Sequence, residues 1–232
     1  KVAEINSDIR EKTVKKVKQV FPQIQTVSLG QFERSQKTGS SMMYVAIVAL
    51  VIMFIVISLH FNNVRQSFLI MLVIPAGIAG AILGHGLIGI PVSILSVFGM
   101  IALTGVLVND AIVFLDRYNS LLLEGYTVRK AALEAASSRF RPILLTSVTT
   151  VAGLLPMIAE TSMQAQFLIP MASSIAFGVL FGTIFILFFY PSAIMFWNGF
   201  GKTRTRIWTG EKVTRLDVEP VIKFQRKKSE IH

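Results

Sequence analysis

Positions 66–109 carry no Lys, Arg, Asp or Glu, and neither do positions 161–201. A helix that crosses a bilayer needs about 20 mostly apolar residues. Each stretch is therefore long enough for two crossings, or for one crossing and a loop. Charged residues make up only 16% of the chain, against roughly a quarter in ordinary soluble domains. These patterns exclude a soluble globular enzyme, a disulfide scaffold and a disordered chain. They predict an all-α integral membrane protein.

Five transmembrane helices are expected, over about 41–59, 68–84, 93–115, 143–159 and 167–197. Residues 1–40 are polar. Ile5, Ile9, Val14, Val17 and Phe21 fall near helical spacing before Pro22, and Gln25–Leu29 reads as a strand. Forty residues bury little core alone, so this segment reads as the end of a larger extramembrane domain. The start at Lys1, with no signal peptide, suggests a fragment or a processed chain. Pro75 should kink the second span. Gly80 and Gly84, like Gly178 and Gly182, are spaced as helix-packing GxxxG pairs. Between spans three and four, Thr127 should cap a short amphipathic helix to about Ser138. Pro142 then allows a fresh helix start. Residues 199–232 form a basic tail.

The net charge of +10 would suggest nucleic acid in a soluble protein. Here the basic residues lie outside the apolar runs, so membrane orientation is the better reading, and no nucleic-acid partner is expected. Fifteen Lys and Arg fall in the loops and tail on one side of a five-span chain, and none in the two loops on the other. The positive-inside rule puts the fifteen in the cytoplasm and the N-terminal segment outside. The eight Lys and Arg of that segment run mildly against this, although large domains translocate largely regardless of charge. The tail can also touch anionic headgroups.

With no Cys and three scattered His, no metal site or cofactor is expected. No phosphate-binding loop, nucleophile elbow or carboxylate pair is present, so the chain does not read as an enzyme. His85 reads as a loop residue and Glu160 as a solvated charge. Asp110 stands apart, as a charged residue well inside an apolar span. An ionised carboxyl there costs roughly 2.5–3.5 kcal/mol on insertion scales. A carboxyl that gains and loses a proton is what a proton-coupled transporter needs; a neutral, hydrogen-bonded packing role is the alternative. Asn109 beside it can bond a partner helix. Thr146, Thr149 and Thr150 share a face that could line a proton path, or they bond their own helix. Arg139 and Arg141 precede Pro142 as interface anchors.

The run GIPVSILSVFGMIALTGVLVNDAIV at 89–113 and RFRPILLTS at 139–147 resemble the resistance-nodulation-division (RND) efflux transporters of the acriflavine-resistance type. The resemblance covers about residues 28–197. It implies the end of the second periplasmic domain and the last five of twelve helices, the C-terminal part of a parallel-repeat transporter. Such proteins are proton-driven pumps of the bacterial inner membrane that export drugs, amphiphiles or metal ions. They are usually homotrimers completed by a periplasmic adaptor and an outer-membrane channel. The resemblance thus implies the N-terminal part of the transporter as a partner, with the N-terminal segment periplasmic and the C-terminus cytoplasmic. Drug-exporting members place a Lys where this chain has Asn109, pairing it with aspartates on the fourth helix. Asn109 cannot form that charge pair. Thr146 and Arg139 match residues of the family's cytoplasmic proton route, so the resemblance implies a relay of Asp110, Asn109, Thr146 and Arg139. A membrane subunit or scaffold of a related protein- or lipid-export complex is the alternative function.

Overall fold

A computed structural model of the chain describes residues 31–209, 216 and 219–222, with side chains described for 41–162, 165–199, 216 and 219–222. The amphipathic stretch before Pro22 and the strand at Gln25–Leu29 lie outside these residues. So does much of the tail. Two compact units divide between Val45 and Ala46; the packing described below is that of the second.

The described residues are helical throughout, joined by short turns. The helices are α1 (Gln31–Phe61), α2 (Val64–Met71), α3 (Val73–Ile88), α4 (Ile94–Leu123), α5 (Val128–Ile158), α6 (Met163–Gln166), α7 (Ile169–Ile184) and α8 (Tyr190–Thr209). A π-helical turn at Phe185–Phe189 joins the last two. Five stretches among the described residues are long and apolar enough to cross a membrane: Ser41–Phe61, Val64–Ile88, Ile94–Leu123, Val128–Ile158 and Ile169–Gly199. The bundle exposes large apolar side chains such as Ile55, Leu87 and Phe188. Water would not tolerate so much exposed apolar surface, and lipid does.

The expected loop His60–Ser67 shrinks to two residues. Asn62 takes a left-handed conformation, φ 47°, which Asn tolerates better than most residues. The Asn63 side chain then caps α2 by accepting from the Arg65 backbone N–H at 2.9 Å. The second span begins at Val64 rather than near Phe68, and it breaks at Leu72. Pro75 is the cause, because it has no N–H for the carbonyl four residues back and its ring crowds that turn. The Tyr190 hydroxyl donates to the carbonyls of Leu69 and Ile70 beside this break, at 2.8 and 3.0 Å. Tyr190 follows the π-helical turn. Pro191, next to it, lacks the N–H that a regular α-helix would use, and a π-bulge takes up that mismatch.

Two expectations fail here. Residues 127–159 are not a short helix followed by a new one at Pro142; α5 runs unbroken through Pro142. The proline removes one hydrogen bond, and the helical turns on either side hold. Thr127 occupies the N-cap position but makes no side-chain capping bond. His85 is not in a loop either. It lies in the last turn of α3, 2% exposed, and Gly89 with φ 76° ends the helix. The α4 helix outlasts its apolar span and continues to Leu123. Tyr126 N–H then bonds Leu121 O and Gly125 N–H bonds Leu122 O, both at 3.1 Å. That Schellman pattern needs a left-handed residue, and Gly125 supplies it with φ 91°.

The centre of the bundle is α7, which packs on α3, α4 and α5. Most of its buried positions are small: Ala172, Ser173, Ser174, Ala176, Gly178 and Gly182, with Val179 and Thr183 besides. Without a hydrophobic drive between helices in lipid, close approach of small residues is what holds them. A Cβ on Gly80 or Gly84 would run into Phe181 or Phe177, and one on Gly178 or Gly182 into Leu103 or Leu107. Each glycine pair thus receives a large pair with the same four-residue spacing. The α1 helix differs: after residue 45 only Ile57 is buried.

Candidate functional site

Asp110 shares a face of α4 with Leu103, Leu107, Phe114 and Tyr118, which recur at three- and four-residue steps. All are buried, and Asp110 itself is 9% exposed. Among the described residues it makes no hydrogen bond or ion pair. The ion pair described there joins Arg117 to Glu124 at 3.0 Å near the end of the helix. A carboxyl in this position is shielded from solvent and meets no cation among the described residues. It is stable as the neutral acid, or with a partner from elsewhere.

Asn109 points the other way. It is exposed, on a stripe with Ala102, Gly105 and Val106; a Cβ built on Gly105 meets nothing within 4 Å among the described residues. On α5, Thr146 and Thr149 are exposed in the same manner. Their hydroxyls are spent locally: Thr146 donates to Ile143 O at 2.9 Å, Thr149 to Leu145 O at 2.8 Å, and Thr150 to Thr146 O at 2.7 Å. This is the back-bonding common for hydroxyls inside helices. Arg139 is half-buried, and its Nε is enclosed without an acceptor. No hydrogen bond or ion pair among the described residues joins any two of Asp110, Asn109, Thr146 and Arg139. No cluster of three His, Asp or Glu suited to a metal is found among the described residues.

Other polar contacts cross the bundle. Ser147, on the part of α5 turned toward α7, is buried and its hydroxyl bonds that of Thr183. Gln66 and Asn119 exchange amide bonds at 2.8 and 3.2 Å, both buried. His85 Nδ1 lies 2.9 Å from Ala81 O and its Nε2 lies 2.8 Å from the Ser96 hydroxyl. A carbonyl only accepts, so Nδ1 carries a proton. Ser96 in turn completes a capping box with Ser93 at the start of α4. The sequence pattern marks the threonines of α5 but not the bond between Ser147 and Thr183, and it leaves Gln66 and Asn119 between the expected spans. The available signal was their placement: a Gln or Asn one turn inside an apolar helix needs a partner. In the loop after α5, the Glu160 carboxylate accepts from the N–H groups of Thr161 and Ser162 at 3.0 and 3.1 Å. These bonds, Ser162 first, hold its carboxyl below the usual carboxylate range.

A sequence profile described as the AcrB/AcrD/AcrF family matches residues 2–197. The chain is 34% identical over 162 residues to the cobalt-zinc-cadmium resistance protein CzcA of Cupriavidus metallidurans, across 70% of this chain and 15% of that protein. It is 26% identical over 162 residues to the multidrug resistance protein MdtC of Erwinia tasmaniensis, across 69% of this chain and 16% of that one. The crystal structure of a heavy metal efflux pump superposes with a TM-score of 0.67 and 25% identity, covering 81% of this chain and 19% of the pump. The chain therefore spans less than a fifth of the length of each of these proteins. With a profile match over the bulk of the chain and relatives that agree in fold, this five-span bundle belongs to the AcrB/AcrD/AcrF family of RND transporters.

Proposed function

We propose that this chain forms part of a proton-driven RND exporter, with Asp110 as a titrating or hydrogen-bonding group that couples proton movement to helix packing. The single observation that supports this reading most is the Asp110 side chain: enclosed in mid-span, with no partner among the described residues. An ionised carboxyl so placed is costly. A proton that neutralises it changes which packing is favoured, and a ligand-driven shift between two packings is what transport requires. Asn109 and Thr146 lie on exposed stripes of α4 and α5. In the proposal these stripes meet the rest of the transporter, Asn109 facing its carboxylates and Thr146 and Arg139 lining the cytoplasmic end of the proton route.

The cargo is drugs, amphiphiles or metal ions, and the similarity to a cobalt-zinc-cadmium resistance protein and a heavy metal efflux pump favours metal ions. The working assembly is a homotrimer in the bacterial inner membrane, joined to a periplasmic adaptor and an outer-membrane channel. Its N-terminal segment is periplasmic and its C-terminus cytoplasmic. The test is Asp110→Asn in the full-length transporter. The expected outcome is loss of metal or drug tolerance at unchanged abundance, with Asp110→Glu retaining some of it. Unchanged tolerance in the Asn variant overturns the role of Asp110.

A further inference from the structure

Beyond α8 the chain returns to the bundle. Leu216 and Ile222 pack against the apolar core. Glu219 N–H donates to Leu216 O at 3.0 Å, and residues 220–222 are helical. This turn carries Glu219 into a pocket lined by Arg65, Gln66, Tyr118, Trp197 and Asn198, at the end of the bundle away from the His85–Ser96 hairpin. Glu219 is 6% exposed. The Asn198 side-chain amide donates to its Oε1 at 2.6 Å. The buried Tyr118 hydroxyl faces the same carboxyl. Thus α2, α4 and α8 each turn a polar group toward one carboxyl supplied by a segment outside the spans. A carboxyl in a surface turn has no packing reason to leave water. Here it is buried among groups that can bond it.

We propose that the turn holding Leu216 and residues 219–222 forms a latch, anchored by Glu219, that ties the ends of α2, α4 and α8 together and opens and closes with the protonation of that carboxyl. Burial raises the Glu219 carboxyl above the usual carboxylate range and outweighs Asn198, Tyr118 and Arg65, which pull it down. Among the described residues, the charged or titratable groups that face it are Arg65 from α2 and Tyr118 from α4; α8 presents Trp197 and Asn198. The sign follows. A carboxyl whose pKa is higher docked than free binds more protons when docked. Docking is then favoured below the free value and is lost as pH rises through the docked one. Between the two values the docking constant falls by up to about tenfold per pH unit, and above the docked value it no longer changes.

The experiment uses the full-length transporter in nanodiscs, where both faces are open to reagent. Val221→Cys reports on the latch, and Glu134→Cys, on an exposed turn of α5, corrects for the intrinsic pH dependence of thiol labelling. The expected result is slower maleimide labelling at Val221→Cys than at Glu134→Cys at about pH 5.5, with the gap closing by about pH 8. Adding Glu219→Gln, a neutral side chain of the same shape, should keep the slow labelling and abolish its pH dependence. Three results overturn the proposal: equal labelling of both sites at both pH values, a gap that does not change with pH, or a pH-dependent gap that survives Glu219→Gln. The readout is docking, so it is independent of whether Asp110 couples transport.

Discussion

Gln66 and Asn119 close a reciprocal amide pair, with Gln66 Nε2 donating to Asn119 Oδ1 at 2.8 Å and Asn119 Nδ2 returning a bond to Gln66 Oε1 at 3.2 Å. Both residues are 6% exposed, and the pair joins α2 to α4. Replacing one partner leaves the other amide buried without a bond, at a cost of about 1–3 kcal/mol. Replacing both with Leu removes the polar groups together and should be nearly neutral. Thermal unfolding of Gln66→Leu, Asn119→Leu and the double variant forms a double-mutant cycle. Both singles should melt lower than the double. Additive losses would mean that the pair contributes no coupling.

Tyr190 is 0% exposed and stands edge-on to Phe114, with ring centroids 5.7 Å apart. Its hydroxyl serves the two carbonyls beside the break at Leu72. Tyr190→Phe keeps the ring contact and removes only the donor. The expected loss is about 1 kcal/mol, the net worth of one hydrogen bond. Tyr190→Ala also removes the ring, and should cost about 3–5 kcal/mol as a core truncation does. Melting temperatures of the two variants in the same detergent separate these effects. Equal losses would show that the hydroxyl, not the ring, supports the break.

The spans and the glycine pairs were legible because each rests on a short-range rule: apolar length for the spans, and small residues four apart for the packing. The break in the second span was legible for the same reason, since Pro75 acts within one turn of itself. Continuity through Pro142 was not legible. A proline reads as a boundary, and whether the turns around it hold depends on the helices packed against α5. His85 was misread because glycines at 84, 86 and 89 look like a loop, whereas Gly84 is small to admit Phe177. The partners of Gln66, Ser147 and Glu219 lie 53, 36 and 21 residues away, and no local pattern encodes such pairings. The burial of Asp110 was expected from its place in the span. The opposite orientation of Asn109 follows from helical geometry once the buried face of α4 is known.

The glycines divide into two classes by their surroundings. Side chains at Gly80, Gly84, Gly178 or Gly182 would meet Phe181, Phe177, Leu103 or Leu107. Gly84→Val or Gly182→Val should therefore separate α7 from its neighbours and lower the yield of folded protein sharply. Overpacking of this kind costs about 1–3 kcal/mol or more per site. Gly86→Ala and Gly153→Ala meet nothing within 4 Å among the described residues, and Ala is the better helix former. Size-exclusion profiles and melting of the four variants test the division. A stable Gly84→Val protein would mean that the helices separate without loss. A Gly153→Ala protein that folds but fails to export would place the face shared with Thr146 against another part of the transporter.

Thr146 and Ser147 are neighbours in sequence with opposite surroundings, and that contrast separates a proton path from a packing bond. The Thr146 hydroxyl is bonded to Ile143 O, within its own helix. Thr146→Val keeps the shape, removes the hydroxyl and leaves no buried side chain among the described residues without its partner. It should melt like the parent. Ser147 bonds Thr183 across to α7, and both are buried. Ser147→Ala strands the Thr183 hydroxyl and should cost about 1–3 kcal/mol. Export assays in the full-length transporter then complete the comparison. If Thr146 lines the proton route, Thr146→Val lowers export at unchanged stability, while Ser147→Ala lowers stability first and export only in proportion to the folded protein remaining. If Thr146→Val exports normally, the threonine hydroxyls of α5 serve their own helix, and the route of the proton must be sought on the face of α4 that holds Asp110.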